Sequence, residues 1–343
     1  MTTACRLLTW FRANARALPW RTAPRDPYRT LVSELMLQQT QVDRVVPRFE
    51  AFIGRFPTLE ALADAPETAV LEAWSGLGYY RRARLLHRLA REVAATGGEL
   101  PRTARELEQL PGVGPYTAAA MASMVFGERV PLMDGNVARV GARVLALADD
   151  PRRRRGRQAV IAWVSGLISS APPGEINEAL MELGARVCTP TAPRCDACPL
   201  ADDCRALDAS GPEAYPSPRR SRPPLELCWI AVIAEDSDGR WLLRRVSDGP
   251  ILRGLWLPPI DEIDEPSRSD ARAAGLLPFD VRGPIERLEP VRHSITHRRI
   301  EVTPLRVMVG DAPAVTGGWR WADPRSPGLP TSSLLAKLVR AVD

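Results

Sequence analysis

Glu34 stands in the stretch SELMLQQTQVDRVV, among apolar residues, and runs into uncharged amides and a threonine, Gln38-Gln39-Thr40-Gln41. A carboxyl beside Leu31 and Leu37 on one helix is partly buried, which raises its pKa and keeps a proton available near neutrality. A second acid, Asp134, lies in the loop MDGNVARV beside Gly135 and Asn136 and is expected to stay ionised. Taken singly, either acid also suits a helix cap or a solvated surface. Four of the six cysteines, Cys188, Cys195, Cys198 and Cys204, fall within seventeen residues. Four thiolates fit a tetrahedral structural zinc or a [4Fe–4S] cluster. Only one close pair exists here and the outer intervals are six and five residues, which favours the cluster. Cys5 and Cys228 stand alone and are expected to be small buried side chains.

From Leu7 to about Leu207 the pattern that must position these groups is helical. Leu31, Leu35, Val42, Val45 and Phe49 recur at three-, four- and seven-residue spacings. Thr103 followed by Glu106 fits a capping box, and Leu107 and Leu110 carry the apolar side until PGVGP ends that helix. Pro115 suits the first turn of the next helix, YTAAAMASMVFG, so two helices join through a tight glycine turn. In GEINEALMELGARVC the residues Ile176, Ala179, Leu180, Leu183 and Val187 form one stripe and deliver Cys188 at a helix end. The stretch GPEAYPSPRRSRPP, residues 211–224, is proline-rich and aperiodic and reads as a linker. Beyond it, CWIAVIAEDSDGRWLLRRV reads as two strands around an Asp-Gly turn, RRIEVTPLRVMV as further strand, and SSLLAKLVRAV as a short amphipathic helix. An all-α domain over 1–210 and an α+β domain over 225–343 follow.

The 343 residues, 45% hydrophobic and 25% charged, are enough for two cores. A net charge of +5 and a pI near 9.1 make a polyanionic partner plausible. RRRRGR at 152–157 is a local basic loop, and Lys337 is the only lysine. No run of about eighteen apolar residues occurs, and MTTACRLLTWFRANAR has no signal-peptide core, so no membrane partner is expected and a cytoplasmic location is. In that compartment disulfides are unexpected and clustered cysteines mean metal.

SELMLQQTQV, GLGYYRRARLL, LPGVGPYTAAAM, LMDGNVARV, INEALMELGARVC and the cysteine loop occur in the order found in the MutY family of adenine DNA glycosylases. The resemblance is strong over residues 7–207 and weaker beyond. It implies a helix-hairpin-helix glycosylase fold of the endonuclease III superfamily with a [4Fe–4S] loop, and a Nudix-like C-terminal domain. It implies Glu34 as proton donor and Asp134 as stabiliser of a cationic sugar, with Tyr116 and Asn136 holding the sugar and the acids. Trp20, Arg21 and Glu178 would line an adenine pocket, although core packing for Trp20 and Tyr116 and an ion pair for Arg21 and Glu178 are the simpler alternatives. A flipped base leaves a gap to be filled. Gln38, Gln39 and Thr40 suit base edges, with Gln39 as a wedge and Leu77 and Tyr79 as a second wedge. Backbone N–H groups of Gly112, Val113 and Gly114 suit phosphate, with Arg81, Arg82, Arg84 and Arg194 as additions. Related enzymes carry a Schiff-base lysine where Tyr116 stands, so strand cleavage is not expected.

The C-terminal half lacks the glutamate-rich metal helix of a Nudix hydrolase. Its stretch RHSITHRR aligns Ile295, Thr296 and His297 with the family's 8-oxoguanine-reading loop, Thr296 and His297 keeping a hydroxyl and an imidazole. The implied partner is duplex DNA with A opposite 8-oxoguanine or G, bound by a monomer associated with the nucleoid. Another glycosylase of the superfamily, for oxidised pyrimidine or mismatched thymine, and a non-catalytic mismatch binder are the alternatives.

Overall fold

The computed structural model describes residues 1–209, 211–217, 223–248, 251–264, 269–281 and 283–343. They form two compact units, 1–65 with 79–220 and 66–78 with 221–343, so the segment 66–78 groups with the later part of the chain and not with the helices around it in sequence.

The first unit is helical: α1 (Thr3–Asn14), α2 (Pro27–Leu37), α3 (Val42–Arg55) and α4 (Leu59–Asp64). After α5 (Glu67–Ala73), which belongs to the second unit, come α6 (Arg81–Ala95), α7 (Ala104–Leu107), α8 (Pro115–Met124), α9 (Gly135–Val144), α10 (Arg154–Ser169), α11 (Pro173–Arg186) and the short α12 (Arg205–Asp208). The start of α2 is fixed locally. Asp26 accepts the Arg29 N–H at 2.9 Å as N-cap and Pro27 opens the first turn. Every residue from Thr30 to Met36 is buried, Glu34 included, so this helix crosses the interior and does not lie on the surface. The expected cap at Thr103 forms, its hydroxyl accepting the Glu106 N–H.

A core of Leu7, Phe11, Ala120, Val140, Val164 and Leu180 joins α1, α8, α9, α10 and α11. Each such aliphatic side chain contributes roughly 1.5–3 kcal/mol on burial. Within α11, buried Asn177 donates to Ser123 Oγ at 2.9 Å and Val130 O at 3.0 Å and accepts the Leu132 N–H at 3.3 Å. One amide thereby fixes the strandless segment that leads to Asp134.

The second unit carries β1 (Leu225–Glu235), β2 (Trp241–Arg245), β3 (Trp256–Leu257), β4 (Ile260–Glu262), α13 (Ser269–Ala274), β5 (Glu286–Arg287), β6 (Val291–Ile295), β7 (Arg298–Met308), β8 (Trp319–Ala322) and α14 (Ser333–Val342). Their sheet has the order β3-β2-β1-β7-β5, with β4 on β1, β6 on β7 and β8 on β2. β1 and β7 run parallel from Leu225↔Arg298 to Glu235↔Met308. Alternation along β1 sends Trp229, Ala231 and Ile233 to the core under α14, and Ile230, Val232 and Ala234 to a second core with Ala273 of α13. The α+β expectation holds. Among the described residues no helix is long and apolar enough to cross a membrane.

Candidate active site and cysteine loop

Glu34 projects from the middle of α2 with 6% of its surface exposed, and its Oε2 is buried without a hydrogen-bond partner. Burial is the main force on this carboxyl, pushing its pKa up to about 7. The fields of Glu178 and Asp134 add to the rise, while Tyr116 and Arg25 oppose it. Tyr116, in the first turn of α8, donates at 3.2 Å to Met181 Sδ and also lies within hydrogen-bonding reach of Glu34. A hydroxyl has one proton to give and a thioether is a weak acceptor.

Asp134 is the N-cap of α9. It accepts the Val137 N–H at 2.7 Å and Asn136 Nδ2 at 2.9 Å. Asn136 in turn accepts from Arg139 at 2.9 Å, and Arg139 donates to Gly184 O and Cys188 O, each at 2.8 Å. Asp134 is expected to stay ionised, and the Val137 and Asn136 donors favour its charged form. Burial raises its pKa, and Val137, Asn136 and Arg139 hold the rise back. The asymmetry between the two acids survives, because Asp134 has donors that favour its charged form and Glu34 Oε2 has none. The site also requires a glycine: a Cβ on Gly184 would lie 2.5 Å from Asn136 Cβ, so no other residue lets α11 pass the start of α9 undisturbed.

Trp20 is 5% exposed and meets Phe49 edge-on, with centroids 5.2 Å apart. Arg21 and Glu178 do pair, at 3.1 Å, within a larger buried network. Arg21 also reaches Glu182 at 3.0 Å, Arg16 holds Glu182 at 2.7 Å, and Arg25 pairs with Glu178. Sequence reasoning missed Arg16, Arg25 and Glu182. The available signal was the four-residue step from Glu178 to Glu182, which puts both acids on one face of α11.

After α2 the turn Gln38–Thr40 is exposed at Gln39, whose φ is +58. Gln38 Nε2 donates to Thr117 Oγ1 at 3.3 Å. Arg82 is not a surface cation for phosphate. It is buried, its pKa lowered by burial to about 10, and it donates to Leu35 O and Met36 O at 2.8 Å, to Gln38 O, and to Thr40 Oγ1 at 3.1 Å. It caps the end of α2 and shapes the turn. Its guanidinium also lies 5.4 Å from the centroid of Tyr79, which is 44% exposed with φ +48. Leu77 lies in the loop between α5 and α6, flanked by Gly76 and Gly78 at φ +88 and +69, but it is buried, and Arg194 donates to Arg186 O at 2.6 Å.

The hairpin between α7 and α8 turns at Gly112, φ +80, where a Cβ would meet Leu85 Cβ at 2.7 Å. Val113 follows, buried, and Gly114 is the N-cap of α8. In the second unit, Thr296 and His297 are the exposed loop between β6 and β7, with Thr296 at φ +56 and its Oγ1 donating to Ile295 O at 2.6 Å. Within β6, opposite Ile300 of β7, His293 is buried with Nδ1 unpartnered, and burial and Lys337 lower its pKa to about 4.

Cys188 follows the end of α11, and Cys195, Cys198 and Cys204 flank two 3-10 turns. All four border one cavity with Val140, Arg143 and Leu183. Burial pushes the Cys198 thiol up to about 12, and the neighbouring thiols add to the rise. Such a set holds thiolates only when a cationic, thiophilic group joins it, so the donor chemistry fits a metal centre. Among the described residues no three of His, Cys, Asp or Glu are spaced to hold a single ion. Thr3 Oγ1 donates to Asp203 at 2.8 Å and Arg6 to Asp203 and Pro199 O, tying α1 to the second half of the loop. Cys5 and Cys228 are exposed, against the expectation of burial: Cys5 lies on the outer side of α1, and Cys228 precedes the buried run of β1 that begins at Trp229.

A hairpin between helices, a buried acid opposite a capped one and a four-cysteine loop define a helix-hairpin-helix DNA glycosylase. The family described as "HhH-GPD superfamily base excision DNA repair protein" matches residues 32–165. The adenine DNA glycosylase of Mycobacterium tuberculosis is 43% identical over 220 residues, 63% of this chain and 71% of that protein. The human adenine DNA glycosylase is 46% identical over 209 residues, 58% of this chain but 38% of that protein, so the match spans less than half of the longer relative. The structure of a thermostable thymine-DNA glycosylase superposes with a TM-score of 0.53 at 28% identity, covering 59% of this chain and 93% of that one. The chain belongs to the adenine DNA glycosylase family.

Proposed function

We propose that the protein removes adenine mispaired with 8-oxoguanine or G in duplex DNA by hydrolysing the N-glycosidic bond and leaving the strand intact. The observation that carries this is the contrast between Glu34, with a pKa of about 7 and an unpartnered oxygen, and Asp134, capped by two hydrogen bonds. Adenine anion is a poor leaving group, so Glu34 passes its proton to the base as the bond breaks and the bonding pair stays with the base. Asp134 steadies the sugar cation. Water then adds at C1′, loses a proton to solvent and leaves an abasic site. No lysine of the helical unit competes: Tyr116 occupies the nucleophile's position, and the N-terminal amine would give no more than a trace of strand cleavage.

The positive φ angles at Gln39, Tyr79 and Thr296 support the DNA-facing roles of these exposed residues, since strained backbone gathers at functional turns. Gln39 and Tyr79 would fill the gap left by the base, Gly112, Val113 and Gly114 would hold phosphate, and Thr296 and His297 would read the opposing lesion. Cys188, Cys195, Cys198 and Cys204 would hold a [4Fe–4S] cluster, which supplies a rigid tie for an irregular loop. One close pair with outer intervals of six and five residues supports this over zinc.

Single-turnover reactions on duplexes bearing A opposite 8-oxoguanine, A opposite G and T opposite G, with Glu34→Gln as control, test the activity. Adenine release from the first two, strand breakage only after alkali, and release slowed about 10²–10⁴-fold in the variant are expected. Release from T opposite G alone, or cutting without alkali, overturns the reading. Iron and sulfide at about four per chain support the cluster, and zinc in their place removes it.

A further inference from the structure

We infer that residues 211–215 are a strap that closes the cysteine loop over its metal group, with Glu213 as the positioning residue. The inference rests on the metal reading above. Gly211-Pro212-Glu213-Ala214-Tyr215 has a linker's composition, yet it turns back on the helical unit. The Gly211 N–H, at φ +89, donates to Ala206 O at 3.0 Å, and Pro212–Ala214 form a 3-10 turn. Pro212 borders the same cavity as the four cysteines. Glu213 Oε1 accepts the Ala192 N–H at 2.6 Å, and Tyr215 O accepts from Arg143 Nε at 3.0 Å. Arg143 carries the tie inward, to Cys188 Sγ at 3.3 Å, Thr189 O at 2.7 Å and Pro190 O at 2.9 Å.

Ala192 is where the strap acts. It lies between Cys188 and Cys195 with φ +46, a conformation that an L residue with a Cβ adopts only against a steric penalty. Thr189 Oγ1 holds Thr191 O at 2.9 Å and Ala192 O at 3.3 Å, so the peptide is gripped on one side by the loop itself. Glu213 grips the other. Without that carboxylate the penalty at Ala192 favours a different loop path, and Cys188 and Cys195 lose their relative placement. The Ala192–Glu213 contact is exposed, so its loss loosens the loop without unfolding the unit.

The test uses the full chain loaded with its metal: the parent, Glu213→Ala, Glu213→Gln, and Glu213→Ala combined with Ala192→Gly. The measured quantity is the rate at which bound metal passes to excess chelator, by elemental analysis, below the onset of unfolding of all four proteins. Glu213→Ala should release metal about fivefold faster, as expected for one lost hydrogen bond. Glu213→Gln keeps a carbonyl acceptor and should stay near the parent. Glycine at 192 accepts positive φ without penalty and should restore most of the parental rate. A Glu213→Ala rate equal to the parent's overturns the inference, and so does a faster rate that Ala192→Gly leaves uncorrected. Base release plays no part in the readout, and iron or zinc is identified in the same samples, so failure of the cluster assignment is seen separately. A parent with no bound metal ends both the metal reading and this inference.

Discussion

Glu34 sits in the middle of a helix buried on all sides, whereas Cys195, Cys198 and Cys204 sit around two single 3-10 turns held by ties from elsewhere in the unit. The first region has its electrostatics before any ligand arrives: burial and two neighbouring acids hold one proton near neutral pH. In the second region burial turns the thiols of Cys195, Cys198 and Cys204 against ionisation, and a bound cationic group is needed to hold them as thiolates. Chemistry and cofactor retention should therefore respond to different changes. Glu34→Gln should lower base release by about 10²–10⁴-fold, the contribution usual for general acid catalysis, with bound metal unchanged. Asp134→Asn should follow at about 10²–10³-fold, as for a lost electrostatic stabiliser. Loss of metal in the Glu34 variant would break the comparison.

The pH dependence of stability sharpens it. Glu34 has a folded pKa of about 7 against an ordinary value of 4.5, so the folded state holds a proton that the unfolded state releases. Its contribution is fully present below the unfolded pKa and is lost as pH rises through about 7, a swing of about 3 kcal/mol at most. Denaturant melts from pH 4 to 8 should show the parent weakening over this window. Glu34→Gln, neutral throughout, should lose most of that slope and exceed the parent in stability at pH 8. Equal slopes would mean that the carboxyl is solvated. Base release by the parent should fall over the same upper range, because the proton needed by the leaving group is the one being lost.

Glu34 and Asp134 were legible as a pair because each lies inside a local pattern, one in an apolar helix and one before a glycine at a helix start. The strand alternation of β1 and the cap at Thr103 were legible for the same reason. Arg82 was not, since its partners lie 42 to 47 residues earlier and its type suggested surface. Nor were the positive φ angles at Gln39 and Ala192, because neither is glycine or asparagine and only the surrounding hydrogen bonds impose them. Composition also misread residues 211–217, whose prolines and glycine shape a turn against the helical unit before the chain leaves the described segment. What failed in each case was a contact distant in sequence overriding local preference.

Gly184 offers the smallest change that reaches both regions. Its carbonyl accepts from Arg139, the same guanidinium that holds Asn136 beside Asp134 and Cys188 O at the start of the cysteine loop. A methyl group at 184 would stand 2.5 Å from Asn136 Cβ and 3.1 Å from its Cα, so backbone must move and not merely a flexible side chain. Gly184→Ala should cost about 1–3 kcal/mol, the range for overpacking a filled site, partly offset by alanine's better helix propensity. Base release should fall beyond what the remaining folded fraction explains, because displacement of Asn136 moves a donor away from Asp134. Metal release should quicken only slightly, since Arg143 and the strap still hold Cys188 and its neighbours. Comparable losses in both readouts would show that α11 and Arg139 bind the acid pair and the thiol loop into one cooperative structure, and the separation drawn between the two regions would then fail.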